Sequence, residues 1–210
     1  MDLIYPHVCG ICGKLDKNSL CNKCKLVLQN QAIFKTEDYT ETSSFFDEHI
    51  YMFQYRGEIR NAILNYKFKE KSYLYETFAK FLKKNQKKCV QIKKYDIIMP
   101  IPISKKRLKL RGYNQSGIFA KELANIFQIK YNENILIKIK DNVRQSELSK
   151  EERIENVKNV YKVQNSEEIY NKKILLVDDI FTTGNTANEC SKILIENSAK
   201  KVGIFTIAKD

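Results

Sequence analysis

The sequence has no apolar run approaching the ~20 residues that a membrane-crossing helix needs, so insertion into a membrane is not expected. Its first seven residues hold neither a basic stretch nor an apolar one, and they do not read as a secretory signal. A cytoplasmic protein is expected, in a compartment where thiols stay reduced. Negative charge is the scarcer sign: 25 acidic residues against 37 basic ones leave a net +12. A surplus of that size attracts polyanions. Lysine, asparagine and isoleucine are frequent along the whole chain, however, and such a bias raises lysine regardless of function. A nucleotide-binding P-loop is also missing. Gly112 and Gly117 have the right separation, but Ile118-Phe119 follow where Lys-Ser/Thr is required. What remains, 210 residues with 43% hydrophobic content, suits one α/β domain with a small appendage.

The most informative stretch that is present runs Lys173-Ile-Leu-Leu-Val-Asp-Asp-Ile-Phe-Thr-Thr-Gly-Asn-Thr186. Four apolar residues lead into Asp178-Asp179, a small-residue loop follows, and a helical pattern begins at once. That order predicts a buried strand, a tight loop and a helix N-terminus. A helix N-terminus offers backbone N–H groups and the positive end of a dipole, which suits a phosphate. Gly184 permits close backbone approach. The paired carboxylates stand where sugar hydroxyls or a Mg²⁺-bound group would lie, so the whole suits a ribose 5-phosphate. A response-regulator receiver opens on a similar strand, but it would need most of its domain after that point, and only residues 180–210 remain.

Six cysteines fall into two Cys-x-x-Cys knuckles, Cys9/Cys12 and Cys21/Cys24, plus the separate Cys89 and Cys190. Paired knuckles in a reducing compartment predict one tetrahedral four-cysteine zinc site, structural because no ligand position is left open. An iron–sulfur cluster is compatible with the spacing, and a redox dithiol would need only one pair. His7 stands nearby as a bystander. About 30 residues cannot bury enough core to fold alone, so the metal would supply that stabilisation. Cys89 and Cys190 read as ordinary packed or surface thiols.

Periodicity gives the remaining organisation. Residues 1–30 form the zinc module and 35–44 a polar linker. Strands are expected at 44–55, 95–103, 135–139, 160–163, 174–178 and 202–208, and helices at 57–68, 73–81, 114–127 and 187–195. Residues 104–112 read as a basic loop and 141–156 as a long mobile one. Strands alternating with helices predict an α/β, doubly wound, mostly parallel sheet, with ligands at the carboxyl ends of its strands. The expected division is 1–40 for the zinc module and linker and 41–210 for the α/β domain, with a hood at 41–90 and a binding core at 91–210.

Residues 174–186 resemble the PRPP-binding motif of type I phosphoribosyltransferases, and nearly the whole chain resembles the ComF family, which joins an N-terminal zinc module to such a domain. Tyr55-Arg-Gly-Glu-Ile-Arg60, Pro100-Ile-Pro102, Arg111-Gly-Tyr-Asn-Gln115, and the spacing of Gln145, Leu148, Arg153, Asn156 and Val157 carry that likeness. The resemblance implies that Thr182, Thr183, Gly184 and Thr186, with Ile180, Phe181 and Asn185 in the same loop, hold the 5-phosphate. It implies that Asp178 and Asp179 take the ribose hydroxyls and steady a cationic transition state. Arg111, Gly112 and Lys67 would meet Mg²⁺–pyrophosphate, and a loop carrying Gln145, Arg153 and Asn156 would close over the site. Lys138 and Lys140 stand where arginines are common in the family.

The resemblance implies a PRPP- and Mg²⁺-binding protein of DNA uptake in natural transformation, handling single-stranded DNA with DNA-uptake, helicase or recombination proteins as possible partners. The alternative is an active phosphoribosyltransferase of nucleobase or nucleotide metabolism with an unknown acceptor. Interleaved basic and aromatic residues at Tyr51, Phe53, Tyr55, Arg56, Tyr66, Lys67, Phe68, Lys69, Lys71, Tyr73 and Tyr75 suggest a surface for single strands, unless half of those rings face the core.

Overall fold

The computed structural model describes residues 8–68, 73–140 and 160–210, and the side chains of 66–68 and 73–75 lie outside that description. In chain order the elements are α1 (Asn22–Gln31), β1 (Lys35–Asp38), β2 (Glu48–Gln54), α2 (Gly57–Phe68), α3 (Tyr73–Lys84) and a 3-10 segment (Gln86–Lys94). Then follow β3 (Ile97–Pro100), α4 (Lys105–Arg111), α5 (Gln115–Phe127), β4 (Lys130–Tyr131) and the short strands β5 (Leu136–Lys138) and β6 (Tyr161–Val163). The chain ends with β7 (Lys173–Phe181), α6 (Asn185–Glu196) and β8 (Lys201–Lys209).

Six strands form one sheet in the order β1-β2-β8-β7-β3-β4, and every neighbouring pair is parallel except β1 with β2. The central strands are covered on both faces, which explains why β7 and β8 read as continuous apolar runs rather than alternating ones. On one face α3 and α5 bury Phe78, Leu82, Phe119 and Leu123 against Leu175, Val177 and Phe205. On the other, α6 and the β5–β6 hairpin bury Cys190, Leu194, Leu136 and Tyr161 against Met99, Leu176 and Ile204. The polar flank of α3 carries Lys80, Lys83 and Lys84 outward, as its amphipathic spacing requires.

Several expectations need correction. Residues 35–38, part of the expected linker, form the edge strand β1, paired with β2 from Lys35↔Tyr51 to Asp38↔Glu48. The basic stretch 104–112 is not a loop: Ser104 caps a helix by accepting a hydrogen bond from the Arg107 amide at 3.3 Å, and Gly112 ends it in the left-handed conformation. Strand β3 covers only four of the nine residues expected at 95–103. β5 and β6 are strands as expected, but they pair with each other antiparallel, outside the main sheet. Tyr51 and Phe53, assigned to a single-strand surface, are fully buried because β2 is covered on both faces. The 141–156 loop, with Gln145, Arg153 and Asn156, lies outside the described residues, as do the side chains of Tyr66, Lys67, Phe68, Tyr73 and Tyr75 and all of Lys69 and Lys71.

The cysteine module is welded to this domain. Cys9, Ile11, Cys24 and Leu28 belong to the same apolar cluster as Phe53 and Phe78. Gly10 packs directly on α3: a Cβ there would stand 2.1 Å from Thr77 Oγ1.

Candidate functional site

Within the main sheet the winding reverses between β3 and β7: β3 leads outward to β4, and β7 leads outward to β8. Ligands of open α/β sheets bind in the crevice outside the carboxyl ends of the strands at such a switch point. Pro100 of β3 pairs with Val177 of β7, and the Ile101 amide donates to the Val177 carbonyl at 2.8 Å. Asp178 is the next residue, half-buried, so the acidic pair follows directly after the last β3–β7 pairing, at the edge where such a crevice forms.

Two chain segments meet there. From β7 come Asp178, Asp179, Ile180 and Phe181, then the exposed Thr182 and Thr183, then Gly184, Asn185 and Thr186 at the head of α6. Gly184 sits at φ +75°, and a Cβ there would come within 2.6 Å of the Phe181 ring. Both constraints demand glycine. Having no side chain, Gly184 also cannot cap α6, so nothing at the N-cap position competes with a bound anion for the helix terminus.

From β3 come α4, Gly112 and the start of α5. The Arg111 guanidinium donates to Gln115 Oε1 at 2.6 Å, and the Asn114 carboxamide donates to the Ile101 carbonyl at 3.1 Å. Ser116 Oγ donates to Asp178 Oδ1 at 2.8 Å, and that oxygen also accepts the Asp179 amide at 2.8 Å. Asp179 is 5% exposed. Of the expected site residues, Asp178, Asp179 and the 180–186 loop lie on the β7 segment, and Arg111 and Gly112 on the segment after β3 that Ser116 ties to Asp178. Lys67 lies on α2, with its side chain outside the description.

Ser116, which the sequence did not single out, also belongs to the site: it holds Asp178, and its only signal was position, at the first turn of a helix that follows a strand end. Gln115, the last residue of the Arg111–Gln115 stretch, holds Arg111. Behind the acidic pair lie Cys190 and Tyr161. Burial pushes both the thiol and the phenol up, and the charge of Asp178 adds to each shift. Lys138 is 9% exposed, with its ammonium 5.5 Å from the Tyr161 ring centre.

At the other end of the molecule the sulfurs of Cys9, Cys12, Cys21 and Cys24 all lie within 4.8 Å of one another. Cys12 and Cys21 are 3.9 Å apart. Tetrahedral zinc with bonds of about 2.3 Å separates its sulfurs by about 3.8 Å, so the donor set and its spacing fit that ion. At Cys9 burial opposes the thiolate, but amides of Cys12, Cys21 and Ile11 outweigh it and bring the thiol down to about 7. Burial first, then neighbouring sulfurs, pushes Cys24 up. Among the described residues no helix is long and apolar enough to cross a membrane.

Comparison with known proteins agrees with this layout. Residues 114–210 match the family described as Phosphoribosyl transferase domain. Competence protein F of Haemophilus influenzae is 28% identical over 207 residues, covering 96% of this chain and 90% of that protein. Competence protein ComFC of Bacillus subtilis is 29% identical, covering 98% of this chain and 79% of that protein. The DNA utilization protein YhgH of Salmonella typhimurium is 25% identical, covering 100% of this chain and 94% of that protein. The family match, the doubly wound sheet and the cysteine cluster together give the chain a type I phosphoribosyltransferase fold with an N-terminal module able to hold a metal.

Proposed function

We propose that this homologue of competence proteins F and ComFC, which carries a phosphoribosyl transferase domain, is a cytoplasmic PRPP- and Mg²⁺-binding protein of DNA uptake that handles single-stranded DNA. The observation that carries the ligand reading is the crevice itself: an acidic pair, a glycine-turned helix N-terminus and the Arg111–Gln115 pair converge on one switch point. The 182–186 loop and the head of α6 would take the 5-phosphate. Asp178 and Asp179 would take the ribose hydroxyls, with Ser116 fixing Asp178. Arg111 and Gly112 would face the pyrophosphate, with Mg²⁺ supplying charge neutralisation there when bound. Zinc on Cys9, Cys12, Cys21 and Cys24 is assigned a structural role, because the cluster shares its core with α3.

The role in DNA uptake is supported by the printed names of the relatives, and contact with single strands by the net +12 charge. The proposed division is a zinc module at 1–40 and a transferase-type domain at 41–210, although β1, within the first of these ranges, is the edge strand of the main sheet. The competing reading, turnover with a nucleobase acceptor, is favoured by the near burial of Asp179 beside the crevice. The separating experiment is fluorescence anisotropy of a labelled single strand at physiological salt, with and without Mg²⁺–PRPP, run beside a pyrophosphate-release assay across nucleobases. Binding that weakens steeply with salt supports DNA handling. Pyrophosphate release with one base and no strand binding supports the transferase instead.

A further inference from the structure

Two neighbouring strands of the sheet, β7 and β8, each open on a lysine doublet, and a third doublet closes the 3-10 segment two residues before β3. Lys93-Lys94 precede β3, Lys172-Lys173 lead into β7, and Lys200-Lys201 lead into β8. Because β8 and β7 are adjacent and parallel, their two doublets stand side by side at the amino-terminal edge of the sheet, and the 3-10 segment ending in Lys93-Lys94 enters β3 at the same edge. Strand spacing of about 4.8 Å makes that row roughly 10 Å long. Backbone contacts hold it in register: the Lys200 amide donates to the Lys172 carbonyl, and the Asp96 amide to the Lys173 carbonyl, each at 2.8 Å. Lys94 pairs with Glu48 at 2.6 Å and Lys201 with Asp47 at 3.1 Å. Among the described residues no carboxylate lies within ion-pair distance of the exposed Lys93, Lys172 or Lys200.

An exposed ring stands on the same edge. Tyr170 is 70% exposed and is separated from the Lys172-Lys173 doublet only by Asn171. It borders a shallow depression lined also by Ser166, Glu167, Asn197 and Ser198, and the Asn171 amide donates to the Ser198 carbonyl at 2.9 Å. A flat ring beside polar groups and unneutralised ammoniums is the combination that sequence-neutral single-strand binders use: a base stacks on the ring while cations follow the phosphates. The carboxyl edge also carries lysines, on α4, together with Asp178 and Asp179; the amino edge carries Asp96, whose carboxylate accepts the Lys173 amide at 2.7 Å. The run from Lys173 to Asp178 puts about 16 Å of strand between the two edges.

We propose that single-stranded nucleic acid binds along the amino-terminal edge of the sheet, with a base stacked on Tyr170 and phosphates held by Lys93, Lys172 and Lys200, on the opposite edge from the ligand crevice. This rests on the single-strand reading above and names its surface. It replaces the surface expected around Tyr51 and Phe53, whose rings are in the core.

The test is anisotropy with a labelled oligothymidylate on the full zinc-loaded chain across a salt series. Tyr170→Ala weakens binding about tenfold, and Tyr170→Phe, which keeps the ring, binds as the wild type does. Lys172→Gln with Lys200→Gln lowers the log–log salt slope by about 1.4, two phosphate contacts at ~0.7 each. Lys105→Gln with Lys106→Gln on α4 leaves both quantities unchanged, and saturating Mg²⁺–PRPP does not displace the strand. A wild-type chain without salt-sensitive binding overturns the reading beneath. Wild-type binding that survives in the amino-edge variants and falls in the α4 variant overturns the assigned surface alone. Displacement by anionic phosphatidylglycerol vesicles, but not by excess unlabelled strand, overturns nucleic acid as its occupant.

Discussion

The Ser116 hydroxyl donates to Asp178 Oδ1 at 2.8 Å, and this one contact ties the helix after β3 to the acidic pair at the end of β7. The two sides of the switch-point crevice are thereby held in fixed relation before any ligand arrives. A hydrogen bond to a charged acceptor is worth about 1.5–3 kcal/mol. Ser116→Ala is therefore expected to lower Mg²⁺–PRPP affinity by roughly tenfold or more, by isothermal titration, while Ser116→Thr retains most of it. Equal affinity in the Ala variant would mean that Asp178 needs no such partner.

Gly184 combines φ +75° with a Cβ position 2.6 Å from the Phe181 ring. Gly184→Ala therefore meets both a backbone and a steric penalty, a cost of about 1–3 kcal/mol. The loop relieves it by leaving the phosphate-binding shape. The expected outcome is loss of PRPP binding with a modest fall in melting temperature. Unchanged binding would show that the loop does not hold the 5-phosphate.

Loss of a metal from the cysteine cluster would act on α3 as well as on the knuckles, because Cys9 and Cys24 share a core with Phe78 and because Gly10 packs on Thr77. Chelation, or Cys12→Ser, is expected to release one zinc per chain by mass spectrometry and to speed amide exchange in α3, with little change in the β7–β8 pair. Exchange confined to residues 8–31 would show that the module is not coupled to the domain.

His49 is fully buried, stacked on Phe181 with centroids 4.2 Å apart, and its Nε2 lies 2.8 Å from Thr206 Oγ1. The Thr206 hydroxyl already donates to the Ala208 carbonyl, so the imidazole carries its proton on Nε2. Burial, then the charge of Lys209, pushes His49 down to about 3. In the unfolded chain it titrates near 6.5. Between those values the unfolded state binds the extra proton, so stability falls as pH drops from about 6.5 toward 3. Urea denaturation at descending pH should show this loss, and His49→Phe should flatten the slope in that window. An unaltered slope would place the acid sensitivity elsewhere. Glu37, held down to about 2 by hydrogen bonds from Lys209, Tyr51 and Lys35 that outweigh its burial, loses its own contribution below its usual range near 4.5.

What the sequence made legible depends on where each element lies. β7 and the Thr-rich loop were readable because a doubly buried strand is a continuous apolar run and its loop carries an unusual composition. The cysteine cluster was readable from spacing alone. β1 was not: Lys-Thr-Glu-Asp is polar, and an edge strand is held by backbone pairing that leaves no periodic signature. α4 was hidden because none of its seven residues is buried, so its caps at Ser104 and Gly112 define it. Tyr51 and Phe53 misled because a basic–aromatic pattern looks the same whether the rings face a nucleic acid or a core. Ser116 escaped notice because its partner, Asp178, is brought to it by the fold rather than by a motif.

The central claim, that the crevice between β3 and β7 is a PRPP site, is tested most directly by titrating Mg²⁺–PRPP into the zinc-loaded wild type and into Asp179→Asn. The wild type should bind one equivalent, and the variant should bind at least about tenfold more weakly, the order expected when a charged hydrogen-bond acceptor is lost. Absence of binding to the wild type, or equal binding to both proteins, would contradict the account.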